Sequence, residues 1–70
     1  MPNFKLYIPD IHCDHCKMRI SKALKDLGLR DFEISVADKV VILQTQEIEK
    51  VIEKLKEIDY PPQDITKLTE

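Results

Sequence analysis

The sequence has few or none of several features, and their scarcity limits the classes of protein to which the chain can belong. It contains one glycine, no tryptophan and two cysteines in 70 residues. No apolar run approaches the roughly 20 residues that span a bilayer, and Pro2 and Asn3 open no signal peptide, so we expect no membrane insertion. The 11 Lys and Arg nearly balance the 13 Asp and Glu, which gives no reason to expect a nucleic-acid-binding protein, since such proteins carry a strongly basic face.

What the chain does contain is enough apolar residues to fold as one domain. Apolar residues make up 43% of the sequence and charged residues 34%, whereas disordered chains combine low hydrophobicity with high net charge. The length suits a single domain over residues 1–70. Cys13 and Cys16 lie so close in sequence that a bridge between them would constrain the unfolded chain very little. We therefore expect a soluble cytoplasmic domain that carries a free dithiol.

The first half of the chain predicts a strand followed by a helix. Phe4 and Ile8 bound a stretch in which apolar residues alternate, the pattern of a half-buried strand. Apolar residues then recur at three- and four-residue steps from Asp14 onward, which predicts a helix with Asp14 as its N-cap. Gly28 is the predicted stop of this helix.

The second half predicts a hairpin, a helix and a closing strand. Residues 32–36 and 40–43 are apolar segments on either side of Asp38-Lys39, as in a hairpin. Residues 48–58 place apolar side chains on one helix face and Glu and Lys on the other, and the Tyr60-Pro61-Pro62 segment ends this helix. A short closing strand is expected over residues 64–68, around Ile65 and Leu68, although the alternation there is poor. The order β-α-β-β-α-β predicts an α+β, ferredoxin-like sandwich, with two helices on one face of a four-stranded antiparallel sheet.

Soft and borderline metal ligands are concentrated in residues 11–17, between the first strand and the first helix. The spacing of Cys13 and Cys16 lets both sulfurs face one point, and the adjacent helix N-terminus favours the thiolate form. Two thiolates select Cu(I) or another thiophilic ion. The residues leave open a redox dithiol, a closed zinc site with His12 and His15, and two inert buried cysteines.

Four segments together resemble one known family, and the resemblance covers essentially the whole chain. The segments are Lys5-Leu6-Tyr7-Ile8, Ile11-His12-Cys13-Asp14-His15-Cys16, Arg19-Ile20-Ser21-Lys22-Ala23-Leu24 and Ile58-Asp59-Tyr60. They are similar to the heavy-metal-associated domain of bacterial copper chaperones and of metal-transporting P-type ATPases. The resemblance implies a non-enzymatic metallochaperone that holds Cu(I), or alternatively Zn(II) or another thiophilic ion, through Cys13 and Cys16.

The resemblance also implies partners and roles for neighbouring residues. Delivery by ligand exchange implies a metal-transporting P-type ATPase, its metal-binding domain or a metal-responsive regulator as the partner, with the chain acting as a monomer or a metal-bridged dimer. Tyr60 stands where bacterial copper chaperones often carry a tyrosine beside the metal loop. Asp10 and Ile11 replace the family's Gly-Met, and Ile11 should still anchor the loop in the core.

Other residues near the cysteines have ordinary expected roles. We expect solvated side chains at His12 and His15, although the sequence leaves open whether Asp10, His12 or His15 adds a ligand; a carboxylate at Asp10 would favour zinc. A basic patch that steers docking onto an acidic partner is a further hypothesis. Its four members are Lys17, Arg19, Lys22 and Lys25.

Overall fold

The predicted order of elements is confirmed in a computed structural model that describes residues 2–69. The elements are β1 (Asn3–Tyr7), α1 (Asp14–Asp26), β2 (Phe32–Ser35), β3 (Val40–Gln44), α2 (Ile48–Glu57) and β4 (Asp64–Thr69). The fold is the ferredoxin-like sandwich expected from the sequence. The ends of the predicted domain, residues 1 and 70, lie outside the described residues. Within the described part of the chain, neither helix is long and apolar enough to cross a membrane.

The four strands form one antiparallel sheet in the order β2-β3-β1-β4. β1 therefore has a hydrogen-bonded strand on each side. At its centre Leu6 lies opposite Val41 on β3 and Ile65 on β4. Because alternate side chains of a strand point to opposite faces, Leu6 and Val41 share the face that packs under the helices, and both are fully buried.

The core forms between this face of the sheet and the two helices. Burial of one large aliphatic side chain stabilises a fold by about 1.5–3 kcal/mol, so a continuous core removes the need for a covalent staple. Both cysteines are free thiols. The largest fully buried side chains are Leu6, Ile8, Ile11, Ile20, Leu24, Leu43, Leu55, Val41 and Val51.

The N-terminus of α1 differs by one residue from the prediction. Cys13, not Asp14, is the N-cap, because its backbone is extended, with φ −160° and ψ 169°, and Asp14 already belongs to the first helical turn. The prediction of Asp14 as the N-cap was therefore wrong. The Asp14 carboxylate still lies where the partial positive charge of a helix N-terminus favours an acidic group.

Both helices end in the same hydrogen-bonded turn, the Schellman motif. In α1, Gly28 takes a φ of +87°; its amide donates to the Lys25 carbonyl at 2.9 Å, and the Leu29 amide donates to the Leu24 carbonyl at 3.1 Å. These bonds satisfy carbonyls that have no partner inside the helix. The prediction that Gly28 stops the helix is confirmed.

The turn that ends α2 returns an aromatic residue to the core. Asp59 has a φ of +70°, the Asp59 amide donates to the Lys56 carbonyl at 3.2 Å, and the Tyr60 amide donates to the Leu55 carbonyl at 2.8 Å. This sharp reversal returns the chain to the core, so that Tyr60 is only 7% exposed.

Candidate metal centre

The loop between β1 and α1, which we call the metal loop, is fixed by two backbone hydrogen bonds and one buried side chain. The Ile8 amide donates to the Lys39 carbonyl at 2.8 Å, and the Ile11 amide donates back to the Ile8 carbonyl at 3.1 Å, closing a turn over Pro9 and Asp10. The Ile11 side chain is completely buried, which confirms that it anchors the loop. These contacts fix the position of the backbone that leads to His12 and Cys13.

The structure brings the two predicted ligand residues together. The sulfurs of Cys13 and Cys16 lie 3.5 Å apart. Cys13 is half-buried at the N-cap of α1, and Cys16 is only 3% exposed in its first turn. No side chain caps the amides of that turn, and such amides stabilise a nearby negative charge. The pair is therefore suited to carry thiolate charge at the edge of the domain.

Neighbouring hydrogen-bond donors favour the thiolate form of Cys16. The Tyr60 hydroxyl is the largest influence, followed by the His12 backbone, and together with Cys13 they lower the pKa of Cys16 to about 7, although burial opposes the shift. The same interaction with Cys16 raises the pKa of Tyr60. A group that hydrogen-bonds the charged form of an acid lowers its pKa. Tyr60 therefore does lie beside the metal loop, as the resemblance suggested.

Arg19 supports the ring of Tyr60. Its guanidinium carbon lies 5.3 Å from the ring centroid, a cation–π distance, and its Nη2 donates to the Ile58 carbonyl at 3.5 Å. Arg19 therefore lies apart from the surface depression that Lys17, Lys22 and Lys25 help to line on α1. No sequence pattern indicates this contact, because it depends on how the two helices pack.

His12 lies closer to the sulfurs than the sequence suggested. Its Nδ1 is 3.8 Å from the Cys16 sulfur and 2.7 Å from the Asp10 carbonyl oxygen. The ligand atoms of His12, Cys13 and Cys16 all lie within 4.8 Å of one another, and within residues 2–69 this is the one such group of three. His15 is exposed and outside the group. The carboxylate of Asp10 is also outside it, although the Asp10 carbonyl oxygen lies 3.9 Å from the Cys16 sulfur.

Comparison with known proteins agrees with this site. The pattern of the heavy-metal-associated domain family matches residues 5–61, and the chain belongs to that family. A similar solved structure is the NMR structure of a heavy metal binding protein from Thermotoga maritima, with 48% sequence identity and a TM-score of 0.91 over 94% of this chain and 98% of that one. No curated protein matches the sequence.

Proposed function

We propose that this domain is a metallochaperone that binds Cu(I) through Cys13 and Cys16 and passes it to a partner. The observation that carries the proposal is the pair of sulfurs 3.5 Å apart at the N-terminus of α1, in a chain of the heavy-metal-associated family. Thiolates are the soft ligands that Cu(I) prefers. The pKa of about 7 at Cys16 makes one of them available near neutral pH.

Unequal burial of the two cysteines supports transfer rather than storage. A Cu(I) ion held by two sulfurs has room for a third, so a partner thiolate adds before either original bond breaks. The half-buried Cys13 is the ligand that an incoming thiolate displaces first, and the buried Cys16 releases the ion last. Each step exchanges one sulfur for another without changing the oxidation state of the metal.

The surface beside the loop supports docking of an acidic partner. Lys17, Lys22 and Lys25 outnumber two aspartates in the lining of a depression on α1, which also includes Met18, whose side chain is 69% exposed. Opposite charge steers two proteins together, and an exposed methionine adapts to an apolar contact. The proposed partner is a metal-binding domain of a P-type ATPase or a metal-responsive regulator, in a reducing compartment such as the cytoplasm.

The experiment replaces Cys13 and Cys16 by Ser, singly and together, and titrates Cu(I) against a chromophoric chelator. We expect one ion per chain for the unchanged protein, weakened binding for each single variant and none for the double variant. Because neither cysteine forms a disulfide, circular dichroism should show the same fold throughout. A His15→Ala variant, changed in the same segment but outside the cluster, is the matched control. One ion still bound per chain of the double variant would contradict the proposal.

A thiol–disulfide oxidoreductase is the second candidate, because the same two observations favour it. Sulfurs 3.5 Å apart, with the pKa of Cys16 lowered to about 7, also suit a redox dithiol. Insulin reduction separates the two functions. A chaperone shows negligible catalytic turnover in this assay, whereas turnover that requires both cysteines would favour the oxidoreductase.

A further inference from the structure

We propose that His12 is a third metal ligand of this centre, and that with it the site accepts Zn(II) as well as Cu(I). The inference rests on the proposed function, because the same two sulfurs hold the ion in both cases. It goes further in naming a second class of cargo, a divalent ion of borderline softness, and the residue that selects it. Zn(II) takes imidazole alongside thiolate, and this donor set is the one gathered at the site.

The spacing of the ligand atoms suits an ion with more than two ligands. With zinc–sulfur bonds of about 2.3 Å and zinc–nitrogen bonds of about 2.0 Å, a tetrahedral ion holds two sulfurs about 3.8 Å apart and a sulfur and nitrogen about 3.5 Å apart. The observed distances are 3.5 Å between the sulfurs and 3.8 Å from His12 Nδ1 to the Cys16 sulfur. A linear arrangement with bonds of the same length needs sulfurs about 4.6 Å apart.

The hydrogen bond of His12 shows what must change when an ion binds. A carbonyl oxygen only accepts, so the 2.7 Å contact with Asp10 places the ring proton on Nδ1. For Nδ1 to bind the ion, this bond breaks and Nε2 takes up a proton from solvent as Nδ1 gives one up, which the exposed ring permits. Each thiol also releases any proton it carries. The charges of the divalent ion and the two thiolates then sum to zero, so no net charge is left beside the buried Cys16 side chain.

Three protein ligands leave the fourth position of a tetrahedral zinc ion open. Closed structural sites use four protein ligands, whereas sites with three keep a position for water or another molecule. A partner's ligand can enter this open position, just as a partner's thiolate can add to a Cu(I) ion held by two sulfurs. Zinc would therefore have three protein ligands where Cu(I) has two, and it would still be transferable.

The test compares His12→Ala with His15→Ala, two exposed histidines of which one lies in the cluster. Zn(II) and Cu(I) affinities are measured by competition with chromophoric chelators, and X-ray absorption of the zinc-loaded protein counts sulfur and nitrogen neighbours. We expect two sulfurs and one nitrogen in the unchanged protein. His12→Ala should lose the nitrogen and weaken zinc binding at least tenfold, while Cu(I) affinity stays within about threefold. His15→Ala should change neither affinity.

The outcomes keep this inference separate from the proposed function. If His12→Ala binds zinc as tightly as the unchanged protein, or if no nitrogen neighbour is present, His12 is not a ligand and the inference is overturned while Cu(I) binding stands. An equal loss in His15→Ala would also overturn it, because the effect would not belong to the cluster. Failure of the unchanged chain to bind Cu(I) would instead refute the proposed function. The zinc affinities and the count of nitrogen neighbours would then still decide whether His12 is a zinc ligand.

Discussion

Replacing Tyr60 by Phe should reduce the reactivity of Cys16 without disturbing the core. The hydroxyl of Tyr60 is the largest influence on the lowered pKa of Cys16, and Tyr60→Phe removes that hydroxyl while keeping the ring that packs in the core cluster. The contact of the ring with Arg19 is also kept. The pKa of Cys16 should therefore rise toward that of an ordinary thiol.

The size of the effect follows from the fraction of thiolate. With a pKa of about 7, Cys16 is half ionised at pH 7, whereas an ordinary thiol of pKa about 8.5 is about 3% ionised. Complete loss of the shift would thus lower the thiolate fraction about 15-fold. The His12 backbone remains as a donor, so we expect a fall of about three- to tenfold, short of that limit.

The assay measures alkylation by iodoacetamide at fixed pH, together with the ultraviolet absorbance of the thiolate across a pH titration. Both are done in a Cys13→Ser background, so that a single thiol titrates. Tyr7→Phe is the matched control, because Tyr7 lies on the opposite face of β1 from Leu6, away from the sulfurs. If Tyr60→Phe leaves the titration of Cys16 unchanged, or if Tyr7→Phe shifts it equally, the hydroxyl of Tyr60 does not set the pKa and the reasoning is refuted.

Three further predictions concern stability and docking. Gly28→Ala should destabilise the fold by about 1 kcal/mol, measured by urea unfolding, because no atom lies within 4 Å of the added methyl group and only the φ of +87° opposes it; an unchanged midpoint would contradict this. Folding lowers the pKa of Cys16 to about 7, so its thiolate should stabilise the metal-free fold fully above the unfolded pKa of about 8.5 and lose this contribution as the pH falls through 7. The difference in Tm between the unchanged protein and Cys16→Ser should therefore depend on pH, and a difference that is the same at every pH would contradict this prediction. Lys22→Glu combined with Lys25→Glu should slow Cu(I) transfer to an acidic acceptor domain at low salt and leave Cu(I) affinity unchanged; an unchanged transfer rate would rule out steering.

Much of the fold could be predicted because each element carries its own periodicity. α2 is the clearest case, with apolar and charged residues on opposite faces, and it lies within one residue of its predicted span. β4 gave a weaker signal for a physical reason. It is an edge strand whose Ile65 and Leu68 are 42% and 45% exposed, so main-chain pairing with β1, which leaves no trace in the sequence, holds it in place.

The site was only partly predictable from the sequence. The spacing of Cys13 and Cys16 predicts a chelating pair, and the two sulfurs lie close together because both residues belong to the first turn of one helix and its N-cap. The hydroxyl of Tyr60 reaches Cys16 only because the left-handed turn at Asp59 reverses the chain. His12 was expected to be solvated, and its place in the cluster depends on a hydrogen bond to the backbone of Asp10, which residue types alone do not reveal.

The position of β1 in the sheet bears on how the domain distinguishes one metal from another. The metal loop runs from a strand that is hydrogen-bonded on both sides to the first turn of α1, and its Ile11 is sealed in the core. A loop held in this way favours rotation of side chains over a change of its backbone when an ion binds. In the proposed site, discrimination would therefore come from two thiols that move apart or together and from one imidazole that binds the ion or stays with the Asp10 carbonyl.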